Sequence, residues 1–358
     1  MQSKPRPFPF LILLPLLLAG PALTGTAAAQ GDSTDPPASP VRLVFIHHST
    51  GGFWLADDNG GLGIALRDNN YYVSATNYGT GPDSIGDRTD VINWPEWFLW
   101  ENRDTYLAWL YALNEQNFGD FGSWSRLGAN PGGENVVILF KSCFPNSNLY
   151  GNPSDPPDAE ISDAFTVGNF KAVYNRLLTY FATRLDKLFV VILAPPYATS
   201  EWDFDYGRAA NARAFNNWMM TQWLSSYAHP NVAVFDFYNV LTSNGGNADT
   251  NDLGWSTGNH HRWWSGAVQH LQTVDINYAA YPTDDSHPSQ AGNVKATEEF
   301  LPLLNVFYNR WNSGASPLQY NDLARFLAAS ANLPSGQTGD ANGDGVVDAL
   351  DLVYLLTH

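Results

Sequence analysis

The chain has 358 residues, 44% of them hydrophobic and 14% aromatic, which is enough for one large domain plus a small appendage and too apolar for a disordered polymer. Lys and Arg number 18 against 35 Asp and Glu; the resulting charge of −17 argues against nucleic acid and anionic membrane surfaces as partners. A single cysteine, Cys143, leaves no internal disulfide, so stability must come from packing.

In chain order, the first segment reads as a targeting signal. Lys4 and Arg6 precede the apolar run FLILLPLLLAG, and Ala27, Ala28 and Ala29 offer a small-residue cleavage site. Residues 1–29 are therefore expected to direct secretion, to the extracellular space or a periplasm, leaving no membrane segment after cleavage. Residues 30–40, polar and proline-rich, read as a linker. Apolar runs at 41–46, 71–78, 134–140, 187–194 and 231–237 predict strands. Helical patterns fall near 101–115 and over 170–185, 208–227 and 291–311, with long loops at 79–100, 118–133, 142–165 and 243–286. Continuous apolar strands separated by helices predict a three-layer, doubly wound α/β sandwich with a parallel sheet. Such sheets bind ligands beyond the carboxyl ends of their strands.

The segment DDSHPSQAGN places Asp284 three residues before His287, a spacing that can supply the acid and base of a hydrolytic triad. The first strand runs into HHSTGG, where Ser49 is the candidate nucleophile. A serine hydroxyl needs a base to take its proton; a neutral imidazole oriented by a carboxylate is such a base near pH 7. The alternative for Ser49 is a helix cap over the Gly-rich segment that follows, and for Asp284 and His287 a turn. Cys143, at a probable strand end, reads as a buried thiol rather than a nucleophile.

With this serine, the Asp-x-x-His-Pro segment before the last helix and this strand order, residues 41–312 resemble the SGNH (GDSL) hydrolases. The strongest match is DDSHPSQAGNVKATEEFLPLL. The resemblance implies a serine esterase acting on carboxylic esters, including acetyl groups on polysaccharide, through Ser49, Asp284 and His287, with Asp285 as the alternative acid. It also implies an oxyanion hole with a glycine at Gly79 or Gly81 and an amide at Asn146 or Asn148. The family's Gly and Asp before the serine are replaced by His47 and His48, and KSCFPNSN stands where Gly-x-Asn-Asp is usual. Those departures keep open a non-catalytic carbohydrate- or partner-binding module on the same fold.

His47–His48 and His260–His261 raise a third reading, a metal-dependent hydrolase, although neighbours on a strand face opposite ways and cannot hold one ion together. Trp263 and Trp264 could stack on a sugar ring or pack within a loop.

Residues 313–338 read as a linker and helix ahead of a calcium repeat at 339–358. In DANGDGVVDALD, Asp340, Asn342, Asp344, Asp348 and Asp351 stand at loop positions 1, 3, 5, 9 and 12, with Gly345 at the turn and the Val346 carbonyl at position 7. This pattern predicts a structural calcium ion. The repeat resembles half of a dockerin, which would imply a scaffold protein as partner.

Overall fold

A computed structural model describes residues 32–242, 258–272, 279, 281–283, 285–315 and 318. The signal segment, the calcium loop at 340–351 and Asp284 lie outside the described residues.

The elements run β1 (Val41–Ile46), α1 (Thr50–Leu55), α2 (Leu62–Asp68), β2 (Tyr71–Ala75), α3 (Trp94–Phe98), α4 (Arg103–Ala112), β3 (Val137–Lys141) and α5 (Val167–Phe181). They continue with β4 (Leu188–Ile192), α6 (Tyr206–Thr221), β5 (Val232–Phe235), α7 (Phe237–Val240), β6 (His260–Trp264), β7 (Ala267–Leu271) and α8 (Gln290–Ser313). Strands β1 to β5 form one parallel sheet in the order β2-β1-β3-β4-β5, and β6 and β7 form an antiparallel hairpin.

Alternation along the strands divides the core in two. Val44, Ile46, Ile138, Phe140, Phe189 and Val191 face α3 to α6. Leu43, Phe45, Val73, Leu139, Val190 and Phe235 face α1, α2 and α8. Helices thus cover both faces, which is why the strands read as unbroken apolar runs and the chain forms a three-layer α/β fold. Trp54, Trp94 and Trp97 are fully buried, and truncating such a ring to Ala typically costs about 3–5 kcal/mol.

Helix ends follow local chemistry. Thr166 caps α5 by accepting from the Asn169 N–H, and Asp205 caps α6 by accepting from Arg208 N–H. Helix α8 ends on Gly314, whose φ of 68° is the left-handed conformation that lacks a penalty only without a Cβ. The β6–β7 hairpin occupies part of what the sequence presents as one long loop. It is fastened to α8 by Glu299, whose carboxylate meets His260 Nδ1 at 2.7 Å and the His261 N–H at 2.9 Å.

The strand order reverses between β1 and β3. Loops leaving these two strands diverge to opposite sides of the sheet and open a crevice at its carboxyl edge. Ser49 follows β1 and Cys143 follows β3, so both flank that crevice.

Candidate active site

Ser49 sits between β1 and α1 with φ 22° and ψ −87°, an unfavourable conformation for a residue with a side chain, costing on the order of 1–3 kcal/mol. It stands at the N-cap position of α1, yet its hydroxyl makes no capping bond. The hydroxyl instead lies 3.2 Å from Cys143 Sγ. The turn is close-packed: a Cβ on Gly51 would fall 2.5 Å from His47 Cβ, and one on Gly52 would fall 2.7 Å from Phe121 Cβ. The paired glycines therefore let α1 begin immediately after the strand.

His287 lies on the segment leading into α8. That segment is pinned by Thr283 N–H to the His287 carbonyl (2.9 Å), by Ser289 N–H to the Tyr281 carbonyl, and by Ser286, which donates to Glu201. The His287 ring packs edge-on between Phe53, in α1, and Phe144, next to Cys143, with centroids 5.6 and 5.0 Å away. These contacts bring the histidine to the same sheet edge as Ser49.

The carboxylate on His287 Nδ1 is that of Asp285, with oxygens at 2.8 and 2.9 Å. The sequence reading preferred Asp284. Asp284 lies outside the described residues; Asp285, the alternative acid, is carried back over the ring, where it also accepts from the His287 N–H and the Thr283 hydroxyl. Burial raises the Asp285 pKa, but the His287 N–H, the His287 ring and Thr283 outweigh it and hold the carboxyl below its usual range. A carboxylate only accepts, so Nδ1 carries a proton, and in the neutral ring Nε2 keeps a lone pair. Nε2 is buried with no hydrogen-bond partner among the described residues. It is not hydrogen-bonded to Ser49.

Of the expected oxyanion donors, Gly79, Asn146 and Asn148 are engaged elsewhere. The Gly79 N–H donates to Asp87 at 2.7 Å. Asn146 donates to Asp90 (2.7 Å) and to the Cys143 carbonyl (3.2 Å), and its oxygen accepts from the Val91 N–H (2.9 Å). Its amide thus ties the 90–93 turn to the loop after β3. Asn148 is held between Asp203 and Arg208.

Sequence reasoning missed three neighbours. Tyr78, beyond β2, stacks on His48 at 4.2 Å and lies near Ser49; burial raises its phenol pKa first, Cys143 adds to this, and Ser49 partly opposes it. Thr50 Oγ1 approaches Cys143 Sγ at 3.5 Å. Lys141, the last residue of β3, is buried and donates to Thr50 Oγ1 and the Ser142 carbonyl. In sequence, Tyr78 closes one predicted strand and Lys141 follows another, and neither carries a signal of its own.

The histidine pairs are absorbed into structure. His47 is wholly buried against Phe45, and burial, then the Lys141 and His48 charges, push its pKa down to about 3. His48 turns the other way, onto Tyr78 and Thr89. His261 Nδ1 accepts from the Asp236 N–H. Among the described residues, no group of three or more His, Cys, Asp or Glu is arranged to hold a metal ion. Trp264 lies under the Arg262 guanidinium at 3.8 Å, and Trp263 packs on the core, so neither forms an open stacking wall.

Comparison of the chain with protein-family models, curated proteins and solved structures finds no match.

Proposed function

We propose that this protein is a secreted serine ester hydrolase of the SGNH type, with Ser49 as nucleophile, His287 as base and Asp285 as the residue orienting the imidazole. The observation that carries this reading is the pairing of two otherwise costly features at one crevice. Ser49 is strained without using its hydroxyl as a cap, and His287 Nε2 is a buried lone pair whose ring is fixed by a carboxylate. Strain and orphaned polar atoms persist where function demands them. In this mechanism the Ser49 hydroxyl turns from Cys143 toward Nε2 when substrate binds, gives up its proton and attacks the ester carbonyl. The imidazolium then protonates the departing alcohol, and a water deprotonated by His287 releases the acid. Such bonds are commonly loose before substrate arrives.

An ester on a neutral polysaccharide fits the surroundings. The charge of −17 disfavours polyanions. The loop after β4 carries Trp202, which is 92% exposed, and a groove of about 450 Å³ is lined by the half-exposed Tyr150 with Asn152, Asp205 and Arg208. Exposed rings beside amide, carboxylate and guanidinium groups suit sugar faces and hydroxyls. The C-terminal repeat, with Asp340, Asn342, Asp344, Val346, Asp348 and Asp351 as ligands, extends the proposal to a structural calcium ion and, through its dockerin resemblance, to a scaffold partner.

A non-catalytic glycan-binding module is the second reading, favoured by the engaged Gly79 and Asn146 donors. Labelling with a fluorophosphonate and hydrolysis of p-nitrophenyl acetate separate the two. The expected result is a label on Ser49 and a loss of at least about 10³-fold in kcat in Ser49→Ala at unchanged Tm. Absence of both label and turnover in wild type rejects the esterase, and activity lost to chelator and restored by zinc assigns the reaction to a metal.

A further inference from the structure

Beneath the Ser49 turn lies a charge that the triad does not use. The Lys141 side chain is 1% exposed, and no carboxylate among the described residues lies within ion-pair distance of its ammonium. Its partners are neutral: Thr50 Oγ1 and, at 3.1 Å, the Ser142 carbonyl. Burial lowers its pKa, and Cys143 acts in the opposite direction. An interior ammonium without a counter-ion is strongly unfavourable, and an apolar side chain of similar length would serve the fold at least as well.

The contacts of this lysine lead to the candidate nucleophile. From Nζ the chain passes to Thr50 Oγ1, from there to Cys143 Sγ at 3.5 Å, and from the same sulfur to Ser49 Oγ at 3.2 Å. Of the donors that the sequence suggested for an oxyanion hole, Gly79, Asn146 and Asn148 are engaged in loop structure. We propose that Lys141 is a positioning residue whose buried positive charge, relayed through Thr50 and Cys143, stabilises the negative charge that develops at Ser49 and the attacked carbonyl during acyl transfer. The inference rests on the serine-esterase reading. Among the described residues no carboxylate compensates the charge in the resting site, and the negative charge that develops during reaction does so, so its effect falls on the transition state rather than on substrate binding. Fixed charge in a dry site also needs no rearrangement at the moment of reaction.

The test is Lys141→Met in the full chain, assayed with p-nitrophenyl acetate and by thermal unfolding. The expected result is a kcat about 10²-fold lower, a KM within about threefold of wild type, and a Tm equal to or above wild type. A lysine needed only for folding would give no such split between kcat and Tm. A kcat within threefold of wild type, or a change confined to KM, overturns the inference. If Lys141→Met lowers Tm or fails to fold, Thr50→Val decides, since it leaves the charge in place and cuts the relay. A tenfold fall in kcat at unchanged KM and Tm supports the inference, and any other result overturns it. Wild-type protein inactive on esters overturns the inference together with the proposed reaction, whereas active wild type with fully active variants overturns the inference alone.

Discussion

His47 makes the protein sensitive to acid in a way that can be calculated. Its ring is wholly buried, and neither ring nitrogen has a side-chain hydrogen-bond partner among the described residues. Burial, followed by the charges of Lys141 and His48, depresses its pKa to about 3, against 6.5 for an unperturbed histidine. The folded value lies below the unfolded one, so between those limits the unfolded chain binds more protons. Stability is unaffected by this group above pH 6.5, falls as pH drops through the window, and stops falling near pH 3. Within the window the loss is about 1.4 kcal/mol per pH unit, so His47 alone should cost about 2 kcal/mol at pH 5. His261, also fully buried and pushed down to about 3 by burial first and His270 second, adds a loss of the same sign. The clean comparison is His47→Phe, which keeps a ring against Phe45, where the centroids are 4.7 Å apart, and removes the titration. Urea unfolding at pH 7.5 and pH 5.0 gives the stability change for both proteins. Wild type should lose about 2 kcal/mol more than the variant over that interval. Equal losses in the two proteins would refute the argument and imply that the His47 ring is hydrated or hydrogen-bonded in solution.

Two further predictions concern the acid and the metal. Asp285→Asn should lower kcat on p-nitrophenyl acetate by about 10²-fold or more, because the amide no longer fixes the His287 tautomer, while Asp284→Asn should stay within about threefold of wild type; the reverse pattern would restore Asp284 as the orienting residue. Full-length protein stripped with chelator should take up one calcium ion by titration calorimetry and Asp344→Ala should not, with ester hydrolysis unchanged by metal removal; the absence of any uptake by wild type would reject the calcium loop.

The sheet was readable because both its faces are covered. Strands buried on both sides must be continuously apolar, so VRLVFI stands out and coincides with β1 at Val41–Ile46. The long helices were readable from their periodicity, and α5, α6 and α8 fall close to the predicted ranges. Helices α1 and α2, of six and seven residues, are too short for a period to show, and the 260–271 hairpin depends on Glu299, which is remote in sequence. The chain pattern alone also put Ser49 and His287 at opposite ends of one α/β unit, with chemistry that suits a nucleophile and a base. Only the folded chain determined which neighbours they meet. That Asp285 reaches Nδ1 is decided by the backbone direction of the turn, which residue type and spacing do not give. Asn146 is claimed by Asp90 and Val91, and Lys141 is buried under Ser49 with no carboxylate partner among the described residues, because hydrogen bonds and burial depend on distances in space that spacing along the chain does not contain.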